Sequence, residues 1–249
     1  MAADERNMIV PAKQRATQIS GWVEANLEKV RATLPDHVNP EKVARVFLNE
    51  LSRVPKLLDC TQASLVGCFL QATALGLELG AALGQAYPVP FGRECTLIIG
   101  YRGLIDLTYR SGLVSTVSAY AVRDGDEFDY GLGSEPWIKH RPVGNNSGSE
   151  LSCVYAIVKM RDGVTKMDVM YRDDVDKIRN GSRGKNSPAW ANHYEEMAKK
   201  TILRRVCKTL PMSTGKQQEN LRTAITLDEQ ADASVAQTFD VEVEVADCA

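Results

Sequence analysis

A chain of 249 residues, 44% hydrophobic and 25% charged, is long enough to bury a core in one domain with appendages or in two small domains. It contains no apolar run of about 18 residues, and its start, "MAADERNMIVPAKQRATQ", lacks the apolar centre of a secretory signal, so neither a membrane span nor export is expected. The net charge of -2 averages two unlike parts, because Asp228 to Ala249 holds seven acidic residues and no basic one, leaving about +5 on the other 227.

Residues 1 to 20 are polar and without sustained period, which predicts a mobile arm, followed by a helix from about Gly21 to Thr33. "NPEKVARVFLNELSRVPKL" predicts a second helix, with Asn39 as cap and Pro40 at the first helical position. A third, "TQASLVGCFLQATALGLELG", is predicted between Thr61 as cap and Gly80 as stop, its small residues Ala63, Gly67, Ala72 and Ala74 suited to close packing. Beyond Gly84 the period becomes extended. "AYPVPFG" and "CTLIIG" predict paired strands joined at Gly92, "GLIDLTYRSG" a helix, and "VSTVSAYAVRDGDEFDYG" a strand, a turn at Asp124-Gly125 and a second strand. After the polar loop "RPVGNNSGSE" comes a hairpin, "LSCVYAIVKM" and "TKMDVMY", turning at Asp162-Gly163. A short helix from Asp173, the loop "NGSRGKNS" and the longest helix, Pro188 to Leu210 between Ser187 and Pro211, complete the order.

The result is an α+β plan: N-terminal helices, an antiparallel sheet of hairpins and a long covering helix. The expected divisions are 1–38, arm and helix; 39–215, core; and 216–249, an acidic and disordered tail. Six cysteines (60, 68, 95, 153, 207, 248) without a CxxC pair, and three dispersed histidines, predict reduced thiols rather than zinc or disulfides.

Enzyme motifs fail on inspection. A phosphate-binding loop needs GxxxxGK[ST], but "RNGSRGKN" has Arg179 at the first glycine position and Asn186 after Lys185. "LIIGYRGLIDLTYRSG" lacks both that lysine and the third glycine of a dinucleotide fingerprint. "DGDEFDYGLGSE" places Asp124, Asp126 and Glu135 as in a calcium loop, yet Phe128 and Asp129 occupy the fifth position and the glycine position. Ser182 and Lys185 form an isolated SxxK, and "NHYEEM" around His193 is not HExxH. No catalytic residue, metal or cofactor is expected. The rival reading is a metal-dependent nuclease using Asp124, Asp126 and Glu127, since such sites assemble in space rather than in sequence.

Basic residues give a clearer signal. Between Arg172 and Arg222 twelve Lys and Arg stand against six Asp and Glu. In the last helix Ala198, Ile202, Leu203, Val206, Cys207 and Leu210 share one half of the cylinder, while Lys200, Arg204 and Lys208 recur on the other with Arg205 at its edge. Lys199 points into the apolar half, where a lone ammonium is costly unless that side borders a groove holding an anion. Tyr101, Arg102, Arg123, the "WIKHR" cluster of Lys139, His140 and Arg141, and the loop residues Arg183 and Lys185 add further basic points. Trp137 and Trp190 stand beside them, as stacking platforms or as core. Basic groups interleaved with aromatic rings suit a sequence-tolerant single-strand binder.

The segments "LGLELGAALGQAYPVPFG", "LIIGYRGLIDLTYRSG", "VRDGDEF", "HRP" and "W..HYEEMAKKT.LRR..K.LP", in consistent order from Asn39 to Pro211, resemble the RecT family of phage and prophage single-strand annealing recombinases, remotely related to the Red-beta group. The resemblance implies an ATP-independent DNA-annealing protein in the bacterial cytoplasm, assembled into rings or helical filaments. It also implies single-stranded DNA and the annealed duplex as partners, in a basic groove between sheet and helices beside Gly100 to Gly103, and points to a phage exonuclease and a host single-strand-binding protein.

Overall fold

The computed structural model of the chain describes residues 12–25, 28, 31, 39–144, 148–212 and 214–233. Helix α1 (Ala12–Ala25) starts inside the segment expected to be an arm. Ile19 and Val23, one turn apart, are buried, and Arg15 donates to the Leu58 carbonyl at 2.6 Å, so residues 12–20 belong to the helical layer. Helix α2 (Pro40–Arg53) begins as predicted: the Asn39 side chain accepts the Lys42 N–H at 2.8 Å. A 3-10 turn (Pro55–Asp59) leads into α3 (Gln62–Ala74), capped by Thr61 through the Ser64 N–H at 3.3 Å. It stops before Gly80, because Gly76 takes φ +63° and the Leu77 N–H returns to the Ala72 carbonyl at 2.9 Å.

β1 (Ala86–Phe91) and β2 (Glu94–Ile99) form the expected antiparallel pair. Pro88 and Pro90 lie in β1, where missing donors suit an edge strand. Along the other side of β2, Cys95 N–H donates to Ser64 Oγ at 3.0 Å and Ile99 N–H to Asp228 Oδ1 at 3.1 Å, so side chains close that edge. Helix α4 (Tyr101–Arg110) follows.

β3 (Val114–Arg123), β6 (Leu151–Met160) and β7 (Thr165–Tyr171) make an antiparallel sheet in the order β3-β6-β7. The turn at Gly125, φ +93°, does not fold β3 back on its successor; β4 (Glu127–Gly131) pairs instead with β5 (Trp137–Arg141) in a separate hairpin. One face of the three-stranded sheet presents Val117, Val154, Val158 and Met170 to the main core, and the other presents Val122, Cys153, Tyr155 and Val169 to the hairpin's Phe128, Tyr130 and Ile138. Cover on both faces is why "CVYAIV" in β6 is apolar without alternation.

Helix α5 (Arg172–Gly181) begins as expected, but the predicted longest helix is divided at His193, φ -136°, into α6 (Pro188–Asn192) and α7 (Tyr194–Lys208). Asn192 and His193 are weak helix formers, and the break seats Trp190, 4% exposed, against Tyr194 at 5.8 Å beneath the Arg179 guanidinium. Trp190 is therefore core, not a stacking platform. α7 crosses β6, β3 and β7 and buries Ala198, Ile202, Leu203, Val206 and Cys207.

A larger difference concerns the expected tail. Residues Lys216–Asp232 form α8, which packs on β2 and α4 through Leu221, Ala224, Ile225 and Asp228 at helical spacing. The core therefore continues to the end of α8, and of the acidic tail residues 234–249 lie outside the described residues. The plan remains α+β. Cys60, Cys68, Cys95, Cys153 and Cys207 are free buried thiols, and among the described residues no helix is long and apolar enough to cross a membrane.

Candidate nucleic-acid interface

The glycines of "GYRG" serve backbone packing. Gly100 N–H donates to the Gln85 carbonyl at 2.8 Å; a Cβ on Gly100 would lie 2.2 Å from the Gly84 oxygen, and one on Gly103 2.1 Å from the Gln85 oxygen. Gly103→Ala should accordingly cost about 1–3 kcal/mol, because backbone rather than a flexible side chain must move; urea titration measures it, and a loss under about 0.5 kcal/mol would mean that the segment yields freely.

Between these glycines, Tyr101 turns inward and Arg102 outward. Tyr101 reaches the Ala119 backbone, and Tyr109, two turns later, accepts the Val117 N–H at 3.4 Å, so two phenols close the outer edge of β3. Burial raises the Tyr101 phenol above its ordinary pKa, while nearby Lys199 opposes that rise. Arg102 is exposed and, among the described residues, has no ion-pair or hydrogen-bond partner.

Beside Tyr101 the first turns of α7 carry a chain of alternating charges. Lys199 Nζ lies 3.1 Å from Glu195 and 2.6 Å from Glu196, and Glu195 also binds the Arg123 guanidinium. The anion that Lys199 required thus comes from its own helix; burial disfavours the ammonium, but the two carboxylates outweigh it and raise its pKa. Tyr120, 47% exposed on β3, stacks on Tyr155 at 5.2 Å and leaves the rest of its ring open. Tyr101, Tyr120, Lys199 and Arg123 thus collect along the edge of β3 where α4 and α7 meet, while the exposed Arg102 follows Tyr101 at the start of α4. Tyr120 was not singled out from the sequence, although its position two residues from buried Val122 in β3 placed both on one sheet face.

The basic stripe of α7 is placed otherwise. Lys200 and Arg204 are 6% and 9% exposed; Lys200 Nζ meets Asp228 Oδ1 at 2.7 Å, and Arg204 meets Asp228 Oδ2 at 2.8 Å and Asp232 as well. α8 covers that half of α7, so both cations face carboxylates rather than a groove. Arg205 holds Asp168 through two bonds of 2.5 and 2.8 Å, and Lys208 pairs with Glu229. Arg183 lies over the Phe91 ring at 4.2 Å, whereas Lys185 is exposed.

Of the "WIKHR" cluster, Lys139 and Arg141 are exposed and His140 is not. His140 Nδ1 meets Tyr155 Oη at 3.1 Å and its Nε2 meets Asp126 Oδ2 at 3.3 Å. Burial pushes the Tyr155 phenol up to about 12, leaving it a neutral hydroxyl. Asp126 also accepts N–H groups from Arg123 at 2.8 Å and Val143 at 2.9 Å. Both its oxygens therefore serve the turn, and Glu127 faces Arg141 at 3.7 Å. Among the described residues no three His, Cys, Asp or Glu are grouped to hold a metal ion.

A family model described as the RecT family matches residues 41–242, spanning both the interface and α8. The chain belongs to the RecT family. It is 40% identical over 211 residues to Protein RecT of Escherichia coli (strain K12), a match covering 82% of this chain and 76% of that protein. It is also 24% identical over 144 residues to the uncharacterized protein YqaK of Bacillus subtilis (strain 168), covering 57% of this chain and 49% of that relative. The match beyond Asp232 agrees with α8 as an integral part of this RecT-family core.

Proposed function

We propose that this RecT-family protein binds single-stranded DNA and anneals complementary strands without ATP, as an oligomeric ring or filament in the bacterial cytoplasm. The carrying observation is the exposed Arg102 at the start of α4, next to Tyr101, which itself lies close to the open ring of Tyr120 and to the Lys199 charge chain. In this reading Arg102 takes a backbone phosphate and Tyr120 a base face, while an arriving phosphate competes with Glu195 and Glu196 for Arg123 and Lys199. Exposed Lys139, Arg141 and Lys185 are secondary candidates, and a partner exonuclease and a host single-strand-binding protein belong to the same reading.

Annealing needs no fuel, because pairing and stacking return about 1.4 kcal/mol per base-pair step. What delays it is self-pairing and phosphate repulsion. A protein that holds one strand extended by its backbone lowers both barriers. Labelled complementary oligonucleotides mixed with purified protein, with and without magnesium, test the function: faster annealing in chelator without ATP is the expected result. Magnesium-dependent cleavage that disappears with Asp124→Asn or Glu127→Gln would favour the nuclease instead.

A further inference from the structure

A cavity of about 420 Å³ lies between α2, the end of α3, the segment 77–85 and α4. That volume falls in the range of small-ligand sites, roughly 300–1,000 Å³. Val43 and Val46 of α2, Leu77 and the exposed Leu83 give it apolar walls, and Gln85 and Asp106 give it polar ones. Two ion pairs frame it: Lys42 meets Glu78 at 2.8 Å, and Arg110 meets Asp106 at 2.8 Å while donating to the Leu75 and Gly76 carbonyls. The charges of the lining cancel, so it selects neither an anion nor a cation.

What the cavity offers a ligand is an acceptor beside a donor. The Asp106 side chain is 38% exposed, and Gln85 Nε2 stands 3.4 Å from its Oδ2. The Gln85 amide is oriented from its other end, because its Oε1 accepts the Glu78 N–H at 2.9 Å. Apolar walls with a mixed polar edge suit a flat ring of the same character, which is the description of a nucleobase. On its pairing edge guanine presents two adjacent N–H donors, N1 and N2, next to the carbonyl O6, an order that the other bases lack. One carboxylate accepts both donors, and an amide N–H donates to the oxygen.

A phosphate ligand stands at the mouth. Arg102, Asp106 and Arg110 recur every four residues on one face of α4, so Arg102, exposed and without a partner among the described residues, lies one turn from Asp106. A Cβ on Gly84 would come 3.5 Å from Arg102 Cδ, which sets that side chain against the backbone between Leu83 and Gln85, both lining the cavity. We propose that the cavity holds one guanine base of the bound strand, with that nucleotide's phosphate on Arg102. The proposal rests on the strand binding proposed above and adds a pocket that reads one base. Neighbouring bases remain outside and open to pairing. A duplex can fill the cavity only by unstacking and unpairing a base, so the pocket favours the single strand over the annealed product.

The test titrates the full chain with oligonucleotides of alternating thymine and guanine, and with the same strands carrying hypoxanthine for guanine, which removes only the N2 amino group. The guanine strands should bind about tenfold more tightly, the worth of one hydrogen bond to a charged acceptor. Asp106→Asn should erase that difference while leaving the affinity for hypoxanthine strands and the melting temperature nearly unchanged. Val43→Phe, which fills the apolar part of the cavity, should bring single-strand affinity down toward that for duplex. Equal binding of the two strands by the unaltered chain overturns the proposal, as does a preference that survives Asp106→Asn. Calorimetry with deoxyguanosine and deoxyinosine monophosphates separates the sources of the base: a preference shown by the strands supports the proposal, whether or not the mononucleotides share it, and a preference confined to mononucleotides overturns it. Annealing is scored separately. A chain that prefers guanine strands yet does not anneal refutes the proposed function and leaves the pocket standing, and annealing without the preference does the reverse.

Discussion

Asp228→Ala should cost about 3–5 kcal/mol, much of the stability of an ordinary domain, because it strands the buried Lys200 ammonium and removes one of the two carboxylates that hold Arg204. Asp228 is fully buried; its carboxylate takes Lys200, Arg204 and the Ile99 N–H, joining α7, α8 and β2 at one point. Without it Lys200 loses its ion-pair partner, and Arg204 keeps Asp232. Urea melts give the size of the effect. Termination after Leu227 removes the same carboxylate and should be as damaging, whereas termination after Ala233 retains the network. The converse follows from the cost of burying charge: Lys200→Met, Arg204→Met and Asp228→Leu together should recover most of what Asp228→Ala loses. A loss below about 1 kcal/mol in Asp228→Ala would mean that water reaches these cations and α8 does not seal the site.

Arg102→Ala combined with Tyr120→Ala should produce the largest functional loss. If Arg102 meets a phosphate, its removal lowers the slope of log affinity against log salt by about 0.7, with little dependence on base sequence. Loss of the Tyr120 stacking face should weaken oligonucleotide binding by about 1–3 kcal/mol. Both side chains are exposed, so thermal melts should move by no more than about 0.5 kcal/mol equivalent. Oligonucleotide titrations over a salt series, with melts of the same variants, separate the contributions. An unchanged slope in Arg102→Ala would remove the α4 terminus from the interface and turn attention to Lys185 and β5.

Lys199 shows how far residue-by-residue reasoning reaches. Its place in the apolar half of α7 implied a nearby anion, expected in a groove, but two carboxylates three and four residues earlier on the same helix supply it instead. Lys200 defeated the same reasoning, since its partner lies 28 residues away on a helix assigned to the tail. Leu221, Ala224 and Ile225 carry the helical spacing of α8 in the sequence itself, but the run of acids that begins at Asp228 reads as a solvated tail. Likewise "GYRG" was legible as a strand-to-helix turn, yet what its glycines accommodate is the Gln85 carbonyl on a neighbouring segment.

The sequence by itself determined the α+β order, the caps at Asn39 and Thr61, the β1-β2 and β6-β7 pairings, the core face of α7 and the family, because each rests on side-chain periods or on groups a few bonds apart along the chain. Only the tertiary structure decided that β3 pairs with β6, that Trp190 and His140 are interior, that Asp228 claims Lys200 and Arg204, and that Tyr120 stands open near Tyr101. Those outcomes depend on which distant surfaces exclude water together. A cation's partner follows from the element packed against it, and one helix's periodicity does not contain that information.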